Sequence, residues 1–439
     1  MDKEEIIKAC GADIIKDTVS GNFEISTDTR TIKPNDIYLP LKGANFDGEN
    51  FISNAIQNGA VGYFTTKDFI DNNAKLILKV EDTLKAYLQL AEFYKDKINP
   101  TVIAITGSSG KTTTKEMMFS VAKEKFKTIK TLSNHNNEIG FCQTVFSATP
   151  DSQVMIIEMG MRGLGEIELI TKYAKPDIAI ITNSGSAHIG RLGSLENIAK
   201  AKCEITSALK TNGTFIALDQ DIIKQTVKYD GEKIYYSINN VTILNSKPSY
   251  TRFTYKNKEY ELQVEGEYNV LNSLAVIEAG YKLGMTYDEI KRGLYAYKPI
   301  EKRWEVQEIN GIKIINDSYN ANPDSMKASV KTFVELYENP VVVLGDMGEL
   351  GENERVFHQE VGKYFSNMKN VKFLTVGELS TEIAKELENS GVWVKHFANN
   401  TDVSRYILDN LDIGNTIFLK ASRAMKFEEI LDNLKRGNI

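Results

Sequence analysis

Short apolar runs recur along most of this chain, separated by longer stretches with helical spacing. From residue 101 the runs are Val102–Thr106, Val154–Glu158, Ile178–Thr182 and Thr214–Leu218. Continuous runs rich in β-branched residues predict strands buried on both faces, and helical stretches between them predict a mostly parallel sheet. Phe253 and Tyr255, then Tyr260, Leu262 and Val264, alternate with polar neighbours. That period of two predicts an antiparallel hairpin. A third α/β unit is predicted from Gly311–Asn316, Val341–Leu344, Phe373–Val376 and Thr416–Lys420. Ahead of all these, short strand and helix signals end in an amphipathic helix near Asp82–Lys97, with Leu84, Tyr87, Leu88, Ala91 and Tyr94 on one face. Asn99-Pro100 and Tyr297-Lys298-Pro299 break the pattern. The expected class is α/β, with domains at 1–98, 99–298 and 299–439. The second break is a candidate hinge at about 295–302.

The run that begins at Thr101 feeds a glycine-rich turn, Gly107-Ser108-Ser109-Gly110-Lys111-Thr112-Thr113, which opens a helix. Backbone N–H groups of such a turn form a concavity for anions, and the helix N-terminus and Lys111 add positive charge. A phosphate chain fits there, and the hydroxyl of Thr112 or Thr113 can reach its Mg²⁺. Ile105 stands where a Walker A loop has its first glycine, so the turn is a variant P-loop.

Bulk properties narrow the setting. The 439 residues carry 53 Lys and Arg against 59 Asp and Glu, a net charge of −6. That balance argues against a nucleic-acid partner. Three cysteines, Cys10, Cys142 and Cys203, show no CxxC spacing, which suits a reducing compartment. No apolar run is long enough to span a membrane, so no membrane insertion is expected. A cytoplasmic location follows as the expectation, with the protein acting as a monomer.

Three further residues have positions that point to chemistry. Glu158 ends an apolar strand, where open α/β sheets bind ligands, and its oxygens suit Mg²⁺; an exposed strand-end acid would look the same. His188 follows the strand Ile178–Thr182 in a Gly/Ser-rich loop, and either a structural or a metal role fits. Lys202 falls within the stripe Ile198, Ala201, Ile205 and Leu209 if Leu195–Leu209 is one helix at about 100° per residue. Lys200 then points the opposite way. A lysine facing a packed sheet has a lowered pKa, unless it snorkels to solvent.

Motifs in all three units resemble those of the Mur ligases, which build the peptide stem of peptidoglycan. The first unit has Ser26-Thr27-Asp28-Thr29-Arg30 and Asp47-Gly48; the second adds Asn136-Asn137-Glu138-Ile139-Gly140, Glu158-Met159-Gly160, Ala201-Lys202-Cys203-Glu204 and Gly266 with Asn269 and Asn272. The third has Arg303, the run Asn316-Asp317-Ser318-Tyr319-Asn320-Ala321-Asn322-Pro323, and Gly345-Asp346-Met347-Gly348-Glu349-Leu350-Gly351. Within the family these patterns are similar to the branch that adds D-alanyl-D-alanine to UDP-N-acetylmuramoyl-tripeptide. Glu49 stands where the family often has histidine after Asp-Gly.

The resemblance implies a small N-terminal α/β domain for the UDP-muramoyl-peptide, a central P-loop mononucleotide-binding domain and a C-terminal Rossmann-like ligase domain. It implies an ATP-dependent amide ligase working through an acyl phosphate. Gly107, Ser108, Ser109, Gly110, Lys111, Thr112 and Thr113 would hold the ATP phosphates. Asn269 and Asn272 would lie near adenine, with helix capping as the alternative; Asp317 would hold the ribose, and Arg303 the γ-phosphate. Thr112, Glu158, His188 and a carbamylated Lys202 would bind two Mg²⁺ ions. Lys111, Lys202, His188 and Arg303 are the catalytic expectations. Ser26, Asp28 and Arg30 are expected at the UDP moiety, although Asp28 and Arg30 also fit a surface ion pair. Asn137, Asn322, Asp346 and Glu349 are expected around the peptide substrates, although Asp346 also fits a helix cap. The alternatives are another ligase of the family, tripeptide-forming or polyglutamate-adding, and a P-loop switch or motor of a different class.

Overall fold

The computed structural model describes residues 1–43, 45–68, 73–300 and 302–437. Three large sheets, of five, six and six strands, follow one another along the chain. The first has five strands in the order Asp13–Asp17, Leu76–Lys79, Gly62–Thr65, Asp36–Tyr38, Glu24–Ser26, parallel except for the pairing of Asp13–Asp17 with Leu76–Lys79. Glu49, the departure noted above, accepts from the Thr66 N–H at 2.6 Å and pairs with Lys67 at 2.7 Å.

The second sheet is parallel throughout, in the order Glu232–Tyr236, Thr214–Leu218, Ile178–Ile181, Thr101–Thr106, Val154–Glu158, Thr128–Lys130. Its inner strands read as apolar runs because both faces are covered. One face packs into a core that continues into the first unit, and the other packs on the helix Glu267–Lys282 and the helix that follows the P-loop. The first unit docks through its helix Thr83–Ile98, capped by Asp82, with Tyr87 and Tyr94 stacked on Phe146 at centroid distances of 5.4 and 5.9 Å.

The expected hairpin is present as Tyr250–Tyr255 and Lys258–Leu262, and Val241–Lys247 adds a third antiparallel strand. The expected helix Leu195–Leu209 is shorter: the α-helix ends at Cys203 and a 3₁₀ turn takes Glu204–Thr206. The third sheet runs Glu305–Ile309, Ile312–Asn316, Thr416–Lys420, Pro340–Gly345, Lys372–Val376, Val394–Phe397, with only the first pair antiparallel. Among the described residues, no helix is long and apolar enough to cross a membrane. Residue 301, within the expected hinge, lies outside the described residues.

Candidate active site

A cleft of about 980 Å³ lies between the carboxyl end of the second sheet and the third unit. Its floor is the glycine-rich turn. Gly107 (φ 154°) and Gly110 (φ 79°) have backbones that disfavour a side chain. A Cβ at Gly107 would overlap the Thr182 hydroxyl, and one at Gly110 would overlap the Asn272 amide. The turn is braced by the loop after Ile178–Ile181. Thr182 Oγ1 donates to the Ser109 carbonyl at 2.5 Å, the Ser109 N–H donates to Asn183 Oδ1 at 3.0 Å, and Ser108 Oγ donates to the Gly185 carbonyl at 3.0 Å. Lys111 Nζ donates to the Gly107 carbonyl at 2.7 Å, so its ammonium stays on its own loop.

Glu158 reaches the cleft from its strand end. It is 2% exposed. Oε1 accepts from Thr112 Oγ1 at 3.2 Å and from Asn136 Nδ2 at 3.0 Å, while Oε2 lies 3.2 Å from Lys115 Nζ. Arg303, from the third unit, donates through Nη2 to Thr112 Oγ1 at 3.0 Å, and its guanidinium sits 4.1 Å from the centroid of the Tyr319 ring. Asp317 lines the same cleft and accepts from Lys420 Nζ at 2.6 Å.

His188 has a left-handed backbone, φ 66°, that turns it into the cleft. Its Nδ1 lies 2.7 Å from Glu349 Oε2. The hydrogen bond to His188 holds the Glu349 carboxyl below its usual range, and the His188 and Arg191 charges act in the same direction. Lys202 is 1% exposed, whereas Lys200 is exposed. Burial pushes the Lys202 ammonium well below the ordinary lysine value, and the Lys111 charge pushes the same way. Among the described residues it has neither a hydrogen-bond nor an ion-pair partner.

The remaining expected residues divide into two groups. Asn269 and Asn272 both line the cleft, and Asn269 Nδ2 also donates back to the Glu265 carbonyl at 2.6 Å. Asn137 and Asn322 line it too, but each side-chain oxygen caps a helix, accepting from Gly140 N at 3.0 Å and Ser325 N at 2.8 Å. Asp346 sits at a helix start. Its carboxylate turns to the Ser380 N–H at 2.7 Å, at the start of the helix Ser380–Asn389, and it does not line the cleft. Ser26, Asp28 and Arg30 lie on the first unit, outside this cleft, with Asp28 and Arg30 paired at 2.6 Å on the surface. Arg30 holds the Asp28 carboxyl down at about 2. Asn136, Lys115, Tyr319, Lys420 and Asp324 are polar neighbours of the site that the sequence reading gave no role. Each lies within two or three residues of a residue it did single out, except Lys420, which ends a predicted strand. Among the described residues, no group of three or more His, Cys, Asp or Glu side chains is placed to hold a metal.

Comparison with known proteins follows the same three segments. Residues 24–95 match the Mur ligase family catalytic domain, residues 105–280 the Mur ligase middle domain, and residues 302–423 the Mur ligase glutamate ligase domain. The UDP-N-acetylmuramoyl-tripeptide–D-alanyl-D-alanine ligase of Bacillus subtilis is 36% identical over 429 residues, covering 93% of this chain and 92% of that one. The enzyme of the same name from Escherichia coli is 32% identical, covering 97% and 95%. Among solved structures, MurF from Acinetobacter baumannii superposes with a TM-score of 0.91 at 26% identity, covering 99% and 98%. MurF ligase from Thermotoga maritima in complex with ADP gives 0.83 at 25%, covering 94% and 97%.

Proposed function

Since the chain belongs to the Mur ligase family, we propose that it adds D-alanyl-D-alanine to UDP-N-acetylmuramoyl-tripeptide, releasing ADP and phosphate, in the synthesis of peptidoglycan precursors. It is an ATP-dependent ligase. The observation that carries the reading is the Arg303–Thr112 contact, which joins the third unit to the P-loop beside Glu158. A cleft floored by one domain and roofed by another can hold a nucleotide, a carboxylate and an amine together.

A carboxylate is a poor acyl donor. In the proposed reaction a carboxylate oxygen of the tripeptide attacks the γ-phosphorus and ADP leaves. The free amine of the dipeptide then attacks the acyl carbon, and phosphate departs with the carboxylate's oxygen. Phosphoryl transfer asks the protein mainly for positioning and charge neutralisation. Lys111 and the turn Gly107–Thr113 hold the phosphates, and Arg303 neutralises the charge that moves. Asn269 and Asn272 face the adenine, and Asp317, fixed by Lys420, takes the ribose. Glu349, Asn137 and Asn322 lie toward the peptide substrates, and Ser26, Asp28 and Arg30 toward the uridine nucleotide. Covering the cleft keeps water from the acyl phosphate.

The oxygen donors suit Mg²⁺: the Glu158 carboxylate and the Thr112 hydroxyl, without an all-protein cage, which leaves room for phosphate oxygens and water. Thr112, Glu158, His188 and Lys202 would hold two such ions, Lys202 as its carbamate. Bound Mg²⁺ supplies positive charge to the phosphate oxygens. On this reading the protein works in the cytoplasm as a monomer. The test is phosphate release with ATP, Mg²⁺, UDP-muramoyl-tripeptide and D-alanyl-D-alanine, omitting each in turn. Release that needs all four supports the reading. Release with a free diamino acid in place of the dipeptide points to the tripeptide-forming branch, and release from ATP alone to a switch or motor.

A further inference from the structure

Lys115 has no solvent exposure and no task in the chemistry above. It lies three residues beyond Thr112 in the helix Lys111–Ala122, and residues three apart share a helix face. Both side chains meet Glu158. Thr112 Oγ1 donates to Oε1, and Lys115 Nζ sits 3.2 Å from Oε2. Oε1 also accepts from Asn136, and Thr112 and Asn136 line the cleft, whereas Lys115 does not. Oε1 is therefore the cleft-side oxygen, and Lys115 pairs with Oε2 from behind, an ion pair outside hydrogen-bond geometry. The ammonium is itself held by the Ser133 carbonyl at 3.1 Å and by Glu116 at 3.5 Å, and Glu116 pairs in turn with Lys130. For packing alone, an apolar side chain would serve as well as a buried ion pair.

We propose that Lys115 is a positioning residue: it fixes the plane of the Glu158 carboxylate so that Oε1 is presented to a divalent cation. The proposal rests on the reading of Glu158 as a ligand of Mg²⁺. Groups that orient a metal ligand from outside the coordination sphere contribute to affinity without touching the ion.

The test needs no turnover. Mn²⁺ is titrated into the full chain in the presence of ADP, and free Mn²⁺ is read by electron paramagnetic resonance. Lys115→Met is expected to weaken Mn²⁺ binding about tenfold or more, and Lys115→Arg to recover most of the loss. Added to Glu158→Gln, Lys115→Met is expected to cost less than about twofold more, because it acts through Glu158. If Lys115→Met fails to fold, Lys115→Gln replaces it, with an expected loss of about threefold or more. Unchanged or tighter Mn²⁺ binding in the Lys115 variants overturns the proposal, as does a full additive loss on Glu158→Gln. If Glu158→Gln itself binds Mn²⁺ like the wild type, the reading of Glu158 falls, and the proposal with it.

Discussion

Lys202 is a buried amine with no anion beside it among the described residues. Burial and the Lys111 charge both favour its neutral form. A neutral amine can take up CO₂ and lose a proton, which turns an uncharged amine into a carbamate anion with oxygen donors. Lys202→Ala is therefore expected to lower kcat about 100-fold, the scale of removing one preorganised charge-stabilising group. Formate or acetate should restore part of it by filling the vacated space. Lys200→Ala, on the exposed face, should stay near wild type. A Lys202→Ala enzyme that keeps most of its activity would contradict this. Lys202 was legible because its helix register alone puts it among Ile198, Ala201 and Ile205, all buried. Lys115 was not legible. Its neighbours Thr114 and Glu116 are polar, and its partners Glu158 and Ser133 are both remote in sequence.

At the level of elements, the loop 346–351 brings Glu349 to His188, and His358 holds that loop. The Met347 N–H donates to His358 Nε2 at 2.9 Å, so Nδ1 carries the proton and faces the Glu354 carbonyl at 2.7 Å. Burial pushes the imidazole below its usual value, despite the opposing charges of Asp346, Glu354 and Glu382. A histidine with a depressed folded pKa contributes fully above the unfolded value of about 6.5. As pH falls below that value the unfolded state binds more protons, and stability is lost. The apparent Tm should drop more steeply from about pH 7 to pH 5.5 in the wild type than in His358→Gln, which should be less stable at pH 7. Equal slopes in the two proteins would contradict the assignment.

Legibility followed burial here as well. The inner strands Thr101–Thr106, Val154–Glu158 and Thr416–Lys420 read as continuous apolar runs. Thr128–Lys130, Glu232–Tyr236, Glu305–Ile309 and Val394–Phe397 are sheet edges with half-exposed or polar residues, and carry no such run. The P-loop was legible because its chemistry is backbone chemistry, written in glycines. Asp346 stayed open between two roles, because an acid in a glycine-rich loop serves a helix start as readily as a ligand.

Across the whole molecule, the third unit meets the second through polar, aromatic and backbone contacts, among them His188–Glu349, Tyr337–Glu265 and Tyr268–Trp304. Arg303 reaches Thr112, the Ser186 N–H donates to Asp324 at 2.9 Å, and the Gly190 N–H donates to the Glu349 carbonyl at 3.2 Å. Gly190 and Gly351 meet backbone to backbone, so a Cβ at Gly190 would overlap Gly351 N. Gly190→Val should wedge the units apart, raise the radius of gyration in small-angle scattering, and cut ligation about 100-fold, as expected when reacting groups are misplaced by about 1 Å. An unchanged radius with activity within about threefold of wild type would mean that this contact does not set the closure. The resemblance puts the expected nucleotide contacts on two units, but does not say that these units already meet, as Arg303 and Thr112 do.

On the proposed reaction, both units serve one transfer of phosphate onto a carboxylate. The most direct measurement uses UDP-muramoyl-tripeptide with ¹⁸O in its terminal carboxylate, ligated with ATP and D-alanyl-D-alanine, and mass analysis of the released phosphate. One ¹⁸O per phosphate is expected, released only when the dipeptide is present. Phosphate released without ¹⁸O, its added oxygen having come from water, would contradict it.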